Sequence, residues 1–132
     1  MLNKEEIIDY WIKSSDKDFK TMTVLFKEKQ YSWCLFVGHL VVEKLLKAYY
    51  VSKKDDMHPL THDLVRLAEK SDLDPDEKLK EFLATVTTFN INARYDDYKT
   101  SFNKVCTKDY TELWYSEITK YRKWIKKTLL NR

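Results

Sequence analysis

Glycine and proline, the residues that build tight turns, are almost missing from this chain of 132 residues. Gly occurs once and Pro twice, while Lys, Glu, Leu and aromatic residues are abundant. Antiparallel sheets need many turns and long helices need few, so the composition predicts an all-α protein. The length suits one hydrophobic core and is too short for two ordinary domains, so residues 1–132 are predicted to form a single domain.

Cysteines and long apolar runs are also few. Cys34 and Cys106 lie far apart without a CxxC pair, which argues against a metal knuckle or a disulfide framework and favours reduced, packed thiols. No uninterrupted apolar stretch approaches the roughly 18 to 20 residues that span a bilayer. Glu5 and Glu6 stand where a signal peptide would be basic and then apolar. These features predict a cytoplasmic protein that does not enter the membrane.

Charge of one sign does not dominate either. Lys and Arg together number 24 against 21 acids, and the resulting net charge of +3 does not by itself indicate a nucleic-acid surface. Any site for an anion must therefore be local. The only glycine, Gly38, lies inside a predicted helix, so there is no Gly-rich phosphate loop and no nucleophile elbow. Ordinary kinase and hydrolase architectures are excluded on this ground.

Apolar periodicity divides the chain into about five helices. Asn3 followed by Glu6 has the form of a capping box and predicts a first helix from about residue 4 to 29. Ser15 and Asp18 interrupt its apolar stripe, which indicates either a partly exposed face or polar groups with partners inside a bundle. The second helix, within YSWCLFVGHLVVEKLLKAYYVSKK, is apolar on nearly every side, which is typical of a central helix.

Capping residues predict where the remaining helices begin. Thr61 is predicted to cap a short third helix. Asp74, with Pro75 at the first helical position, is predicted to begin the fourth, and Thr107 or Lys108 the last. Four long helices with short loops predict an up-and-down four-helix bundle with one additional short helix. The stretch FNINARYDDYKTSF, residues 89–102, is predicted to be the one longer loop, where function often resides.

A polar edge runs along the otherwise apolar second helix. His39, Glu43 and Lys47 follow one another at i, i+4 spacing and therefore stack on one side of the helix. The plainer interpretation, which the pattern favours, is an ordinary polar edge with a weak Glu43–Lys47 pair. The sharper interpretation is that this edge faces a cleft, because the helix has no other polar side to offer.

His58 and His62 also have i, i+4 spacing, which resembles a zinc pair. Pro59 breaks the helix that would align them, and no third ligand is evident nearby. No metal site is therefore predicted, and His62 is expected to cap or pack at the start of the third helix.

The segment from Arg94 to Lys99 concentrates the chemistry of an anion site. A guanidinium can hold a phosphate in bidentate fashion, Tyr95 and Tyr98 can stack on bases, and Lys99 adds charge. The adjacent carboxylates, in contrast, repel phosphate unless they pair with the cations or hold a metal ion. Spacing alone leaves a structural Arg–Asp pair as good an interpretation as a nucleotide or RNA site.

Four stretches, in this order and with these separations, resemble the HEPN domain (higher eukaryotes and prokaryotes nucleotide-binding domain). They are SSDKDFKTMTVLFKEKQY, FVGHLVVEKLLKAYY, PLTHDLVRL and NARYDDY. The stretch FVGHLVVEKLLKAYY is similar to the family's His or Gln followed by a Glu-Lys-x-Leu-Lys-Ala run. The set is far more specific than any one stretch, and it covers most of the chain. The resemblance implies a helical bundle that dimerises, with a polar cleft at the subunit junction.

The resemblance also implies a minimal nucleotidyltransferase partner in a toxin–antitoxin pair. Family members that cut RNA carry an Arg and a His separated by four to six residues, a basic pair that binds phosphate and assists proton transfer. Here the corresponding positions after Arg94 are Lys99, Thr100 and Ser101, and a lysine with an ordinary pKa of about 10.4 is a poor base at neutral pH. The Arg-Tyr-x-Asp form is similar to the branch regarded as nucleotide-binding or uncharacterised.

Three hypotheses follow. The first is a homodimeric, non-catalytic module that binds a nucleotide, RNA or an adenylyl group and needs no cofactor. Its candidate ligand-binding residues are Arg94, Tyr95, Asp97, Lys99, His39, Glu43 and Lys47. The alternative is a metal-independent RNase toxin in which His39 or His62, from another helix or subunit, replaces the missing histidine. The third is a dimeric scaffold without a ligand. The binding module and the RNase both require that Arg94 lies beside the polar edge of the central helix, so that the two form a cavity that can bind an anion.

Overall fold

The computed structural model describes residues 2–54 and 59–131, apart from the side chain of Asp96. Over these residues the chain forms six helices and no strand, which confirms the all-α prediction. The helices are α1 (Lys4–Lys27), α2 (Tyr31–Lys54), α3 (Leu64–Lys70), α4 (Glu77–Arg94), α5 (Asp96–Val105) and α6 (Lys108–Leu130). No helix among the described residues is long and apolar enough to cross a bilayer.

The four long helices, α1, α2, α4 and α6, form the bundle, and α2 is its centre. Helix α2 packs against every other helix, which explains why its sequence is apolar on nearly all sides. The polar interruptions of α1 have partners within the bundle. Ser15 is buried and donates a hydrogen bond to the carbonyl oxygen of Val41 over 2.8 Å, and Asp18 pairs with Lys44 at 2.6 Å.

The single glycine lies where three helices meet closely. A Cβ atom on Gly38 would stand 2.6 Å from Cδ1 of Ile118 on α6 and 3.3 Å from Cε of Met22 on α1. Both neighbours are fully buried. The missing side chain therefore allows α1 and α6 to approach α2 at its midpoint.

Helix starts agree with the predictions at two positions. The side chain of Asn3 accepts a hydrogen bond from the backbone N–H of Glu6, and that of Thr107 accepts one from Tyr110. Helix α1 ends at Lys27, two residues earlier than predicted, and Lys29 in the loop adopts a left-handed backbone with φ of 61°.

The predicted caps of α3 and α4 are wrong by two residues each. Asp63, not Thr61, caps α3, and the Thr61 hydroxyl instead accepts a hydrogen bond from the Asp63 N–H. Asp76, not Asp74, caps α4. Asp74 has a φ of 53° and therefore lacks the extended backbone that an N-cap requires, so Pro75 precedes the helix instead of beginning it.

The predicted loop of residues 89–102 is helical, which corrects the five-helix prediction to six. Helix α4 continues to Arg94, Tyr95 alone is extended (φ −96°, ψ 131°), and α5 begins at once. Phe89 and Phe102 are both buried, with ring centroids 5.7 Å apart. This contact folds α5 back onto α4, and the short break changes the chain direction without a loop.

Both thiols are free and buried, as predicted. Burial raises the pKa of Cys34 to about 12, with a further contribution from Cys106. Burial likewise raises the pKa of Cys106 to about 12. Neither thiol is therefore a nucleophile or a metal ligand in the folded chain.

Candidate functional site

The polar edge of α2 lies inside the protein. His39 is fully buried and Glu43 is 3% exposed, and both lie among buried apolar residues of α2. The Glu43–Lys47 pair of the plainer interpretation is present, but the burial of His39 and Glu43 shows that this is not an ordinary polar edge. Buried polar groups require partners, and Glu43 obtains them from three other residues.

Glu43 is the centre of a compact charged cluster. Its Oε1 lies 2.7 Å from Nδ1 of His62 and 3.7 Å from Nε2 of His39, and its Oε2 lies 3.2 Å from Nζ of Lys47. Burial alone would raise the pKa of Glu43, but the His62 hydrogen bond and the surrounding positive groups outweigh it. The net pKa is lowered, so Glu43 is a carboxylate at neutral pH.

His39 is a buried imidazole with few partners. Its Nε2 is 3.4 Å from the carbonyl oxygen of His62, and its Nδ1 has no partner among the described groups. Burial is the largest cause that lowers the pKa of His39; Glu43 opposes the shift, and the charge of Arg94 adds to it. The lowered pKa favours the neutral form of His39 at neutral pH, and the charge of Arg94 makes the smallest contribution to that lowering.

His62 is the member of this cluster that was not among the predicted ligand-binding residues of the binding module. It does not cap α3, because Asp63 forms the cap, and its ring reaches back to Glu43 on α2. Its side chain is 63% exposed, so the cluster opens to solvent on this side. Sequence spacing pointed to His58 instead, which lies outside the described residues. The His62–Glu43 contact joins segments 19 residues apart and leaves no periodic signal.

Arg94 is the last residue of α4 and is exposed. Its Nε donates to the carbonyl oxygen of Asn90 at 3.2 Å, and its guanidinium carbon stands 5.3 Å from the centre of the Tyr95 ring. These contacts hold the base of the side chain and leave the terminal nitrogens without an acceptor among the described residues. Among the described side chains no acid pairs with Arg94, and Asp97 is exposed; the side chain of Asp96, the other candidate for a structural Arg–Asp pair, lies outside the described residues.

Lys99 lies on α5, beside the first turn of α2. Its Nζ is 5.7 Å from the centre of the Trp33 ring, and no described acid pairs with it. Lys47 lies elsewhere, since its Nζ contacts Glu43 and stands 5.0 Å from the Trp11 ring. It is two helical turns, about 12 Å, beyond His39 along α2. The structure thus brings together His39, Glu43, Lys47 and His62, with Arg94 acting electrostatically on His39, while Lys99 sits nearer the start of α2.

A comparison with protein families now decides the identity of this bundle. The family model of the HEPN domain matches residues 8–128. The chain belongs to the HEPN domain family. Comparison with curated proteins and with solved structures gave no match.

Membership in the HEPN family supports a module related to nucleotides or RNA. The segments that carry the family resemblance correspond to the cluster described above, with His39 and Glu43 on α2, His62 before α3, and Arg94 at the α4–α5 junction. In this HEPN domain the positions at which RNA-cutting members are expected to have a histidine are Lys99, Thr100 and Ser101, on α5. Their imidazole is therefore replaced here by one amine and two hydroxyl groups.

Proposed function

We propose that this HEPN domain is a non-catalytic binding module for a nucleotide or single-stranded RNA, with Arg94 as its principal phosphate ligand. One observation carries the proposal: the exposed Arg94 guanidinium is anchored through Nε while no described acceptor engages its terminal nitrogens. A guanidinium held in this way can bind a phosphate through two parallel hydrogen bonds. Its orientation is set in advance, which reduces the entropy lost on binding.

Three residues that follow Arg94 in the sequence extend the site. Tyr95 is 52% exposed and lies next to the guanidinium, so its ring offers a surface for base stacking. Lys99 carries a charge with no described acidic partner and adds a second phosphate contact. Asp97, exposed on the first turn of α5, accepts hydrogen bonds from a ribose hydroxyl or a base amino group rather than from phosphate.

The roles of the buried polar residues differ from those of Arg94. His39, Lys47 and His62 each contact Glu43, so this group of residues supports the site electrostatically. The neutral state of His39 matters here, because a protonated ring beside Arg94 would add repulsion without reaching solvent. We assign the direct ligand contacts to Arg94, Tyr95, Asp97 and Lys99.

Arg94→Ala tests this assignment directly. Affinity for ATP and for a short oligoadenylate, measured by fluorescence anisotropy, should fall about tenfold to a hundredfold. For the oligoadenylate, the slope of log affinity against log salt should fall by about 0.7, the value for one lost phosphate contact on a single strand. Arg94→Lys should lie between the two, because it keeps the charge and loses the bidentate geometry.

Arg66→Ala is the matched control, since Arg66 is an exposed arginine on α3 whose side chain has no described partner. It should leave both affinities within about twofold, as expected for a surface charge away from the site. Equal losses in the Arg66 and Arg94 variants would indicate diffuse attraction to basic residues. Unchanged affinity in Arg94→Ala would remove the site altogether.

The competing function is a metal-independent RNase that uses His39 with Arg94. The influence of Arg94 on the His39 ring is the observation that favours it. Against it, His39 is fully buried, its pKa is lowered by that burial, and its Nε2 faces the His62 carbonyl. Expression of the single gene separates the two functions, because growth arrest relieved by Arg94→Ala requires RNase activity. Harmless expression with intact cellular RNA is the outcome expected of a binding module.

We further propose that the module is a homodimer and acts with a minimal nucleotidyltransferase in a toxin–antitoxin pair. Exposed apolar side chains around the α4–α5 junction support an interface there: Ile91, Tyr95 and Tyr98 are each about half exposed, at 46%, 52% and 51%. Light scattering after gel filtration tests the dimer, with Tyr98→Glu expected to shift it toward monomer.

Co-purification tests the partnership with a nucleotidyltransferase. The ligand that we expect such an enzyme to supply is an adenylyl group.

A further inference from the structure

The His39, Glu43 and His62 side chains converge on one point, and this convergence goes beyond a nucleotide-binding role. One ligand atom from each side chain lies within 4.8 Å of the other two. The Glu43 oxygen is 3.7 Å from His39 Nε2 and 2.7 Å from His62 Nδ1. The three residues come from two separate segments, since His39 and Glu43 share α2 and His62 precedes α3.

We propose that His39, Glu43 and His62 form a site for a divalent transition metal of the zinc class. Zinc binds imidazole nitrogen and carboxylate oxygen at about 2.0 to 2.2 Å, so adjacent tetrahedral ligand atoms are about 3.4 Å apart. The His39–Glu43 separation of 3.7 Å is already close to that value. The other two separations need changes that an exposed side chain such as His62 can make by rotation.

The donor set selects the kind of metal. Two imidazoles with one carboxylate suit Zn²⁺, Co²⁺, Ni²⁺ or Cu²⁺, whereas Mg²⁺ and Ca²⁺ prefer sites made of oxygen alone. Three protein ligands leave a fourth position for water or for an incoming group. The exposed side of the cluster at His62 is where water or such a group could enter.

The surroundings hold the site in place and also limit its affinity. Lys47 binds the other oxygen of Glu43 at 3.2 Å, which orients Oε1 toward the two histidines in the manner of an outer-shell partner. Two of the three ligands are buried on one rigid helix, so little order is lost when a cation binds. Lys47 and Arg94 are positively charged and act against the cation. A site that is occupied reversibly, rather than a permanent structural metal, is the result we expect.

The test is titration of the chelator-treated full chain with Co²⁺ and Zn²⁺ in buffer without nucleotide. Calorimetry should show one saturable site per chain, and Co²⁺ should develop the visible bands of four- or five-coordinate geometry. Zn²⁺ should raise the melting temperature, and equal concentrations of Mg²⁺ should not. Because no nucleotide is present, the outcome is independent of the phosphate site at Arg94.

His62→Ala is the decisive variant, since His62 is exposed and its removal leaves the core intact. It should weaken Co²⁺ binding by about a hundredfold and abolish the visible bands. Glu43→Gln, nearly equal in shape, should do the same while circular dichroism reports the native helix content. Asp63→Asn is the control, because it removes the adjacent carboxylate and keeps a good α3 cap; its affinity should stay within about threefold. Undiminished binding in His62→Ala and Glu43→Gln, or no saturable site in the parent chain, would overturn the proposal.

Discussion

His62 Nδ1 lies 2.7 Å from Oε1 of Glu43, and this bond attaches the segment before α3 to the centre of the bundle. Glu43 is buried, whereas His62 is mostly exposed, so the bond connects the interior with the surface. Lys47 and His39 complete the neighbourhood of the same carboxylate. The stability of this cluster and the placement of the segment before α3 should therefore depend on Glu43.

Replacement of Glu43 by Ala should lower the free energy of unfolding by about 3 kcal/mol. Loss of one partner from a buried ion pair leaves the remaining charge unpaired, and the partial exposure of Lys47 and His62 places the cost at the low end of the usual range. Urea denaturation followed by circular dichroism measures the change. Glu117→Ala, which removes a partly exposed acid 3.7 Å from Lys120, should stay within about 0.5 kcal/mol of the parent.

Because the pKa of Glu43 is lowered in the folded chain, its contribution to the free energy of unfolding depends on pH. A carboxyl group whose folded pKa lies below its unfolded value stabilises the fold above that unfolded value, which is 4.5 here. The contribution is lost as the pH falls from 4.5 through the folded pKa. The stability difference between the parent chain and Glu43→Gln should therefore shrink below pH 4.5 in chelator-treated protein, measured by urea denaturation at several pH values. A difference that stayed constant across this window would show that Glu43 does not titrate as described.

Asp16→Ala should weaken the attachment of α1 to α6. Asp16 Oδ1 accepts hydrogen bonds from Arg122 at 3.0 Å and from Lys126 at 2.8 Å, and the Arg122 guanidinium lies 4.0 Å from the centre of the Phe19 ring. Because the Asp16 side chain is 35% exposed, we expect a loss of about 1 kcal/mol and not the value of a buried pair. Asp9→Ala, which removes an exposed pair within α1, should cause no resolvable change in the same urea experiment.

The buried thiols predict a loss of stability at high pH. Both cysteines have a folded pKa of about 12 against an unfolded value of 9.0, so the unfolded chain releases its thiol protons first. The unfolding free energy should fall as pH rises above 9.0, and the fall should be shallower in Cys34→Ala than in the parent chain. Disulfide reagents should leave both thiols unlabelled at pH 8 until urea unfolds the chain. Rapid labelling of the native protein would contradict the burial of the two sulfurs.

Gly38→Ala should be less favourable in the parent chain than in an Ile118→Val background. The new methyl group would stand 2.6 Å from Cδ1 of Ile118, the atom that valine lacks. Alanine gains about 1 kcal/mol of helix propensity over glycine, and the clash opposes this gain. A double-mutant cycle isolates the contact from that propensity difference. Additive effects would mean that α6 yields to the methyl group without cost.

The sequence predicted a helix correctly where its apolar periodicity and its capping residue agreed. The prediction failed where a contact between distant residues determined the secondary structure. The starts of α1 and α6 followed from Asn3 and Thr107 because a cap acts within one turn. Residues 89–102 were predicted to be a loop, because the helical pattern of the sequence lapses there. Phe89 and Phe102 nevertheless meet across the break and hold α5 against α4. Partly polar turns form a helix here because the core supplies their missing stabilisation.

The candidate site was predictable in part for the same reason. The spacing of His39, Glu43 and Lys47 placed them on one edge of α2, since helical geometry alone determines which residues share a face. The burial of that edge was not predictable, because it depends on helices that pack over it from elsewhere in the chain. His62 was assigned to the start of α3, and only the tertiary fold brings it to Glu43.

The amino-acid sequence alone determined the helical class, the central position of α2, the caps of α1 and α6 at Asn3 and Thr107, and the resemblance to the HEPN family. These properties depend on composition and short-range spacing, which the chain carries in any conformation. Tertiary structure alone decided that Glu43 is buried among Lys47 and two histidines and that the charge of Arg94 acts on His39. Contacts between distant segments leave no periodic pattern in the sequence. The cluster that they build therefore forms only when the bundle folds.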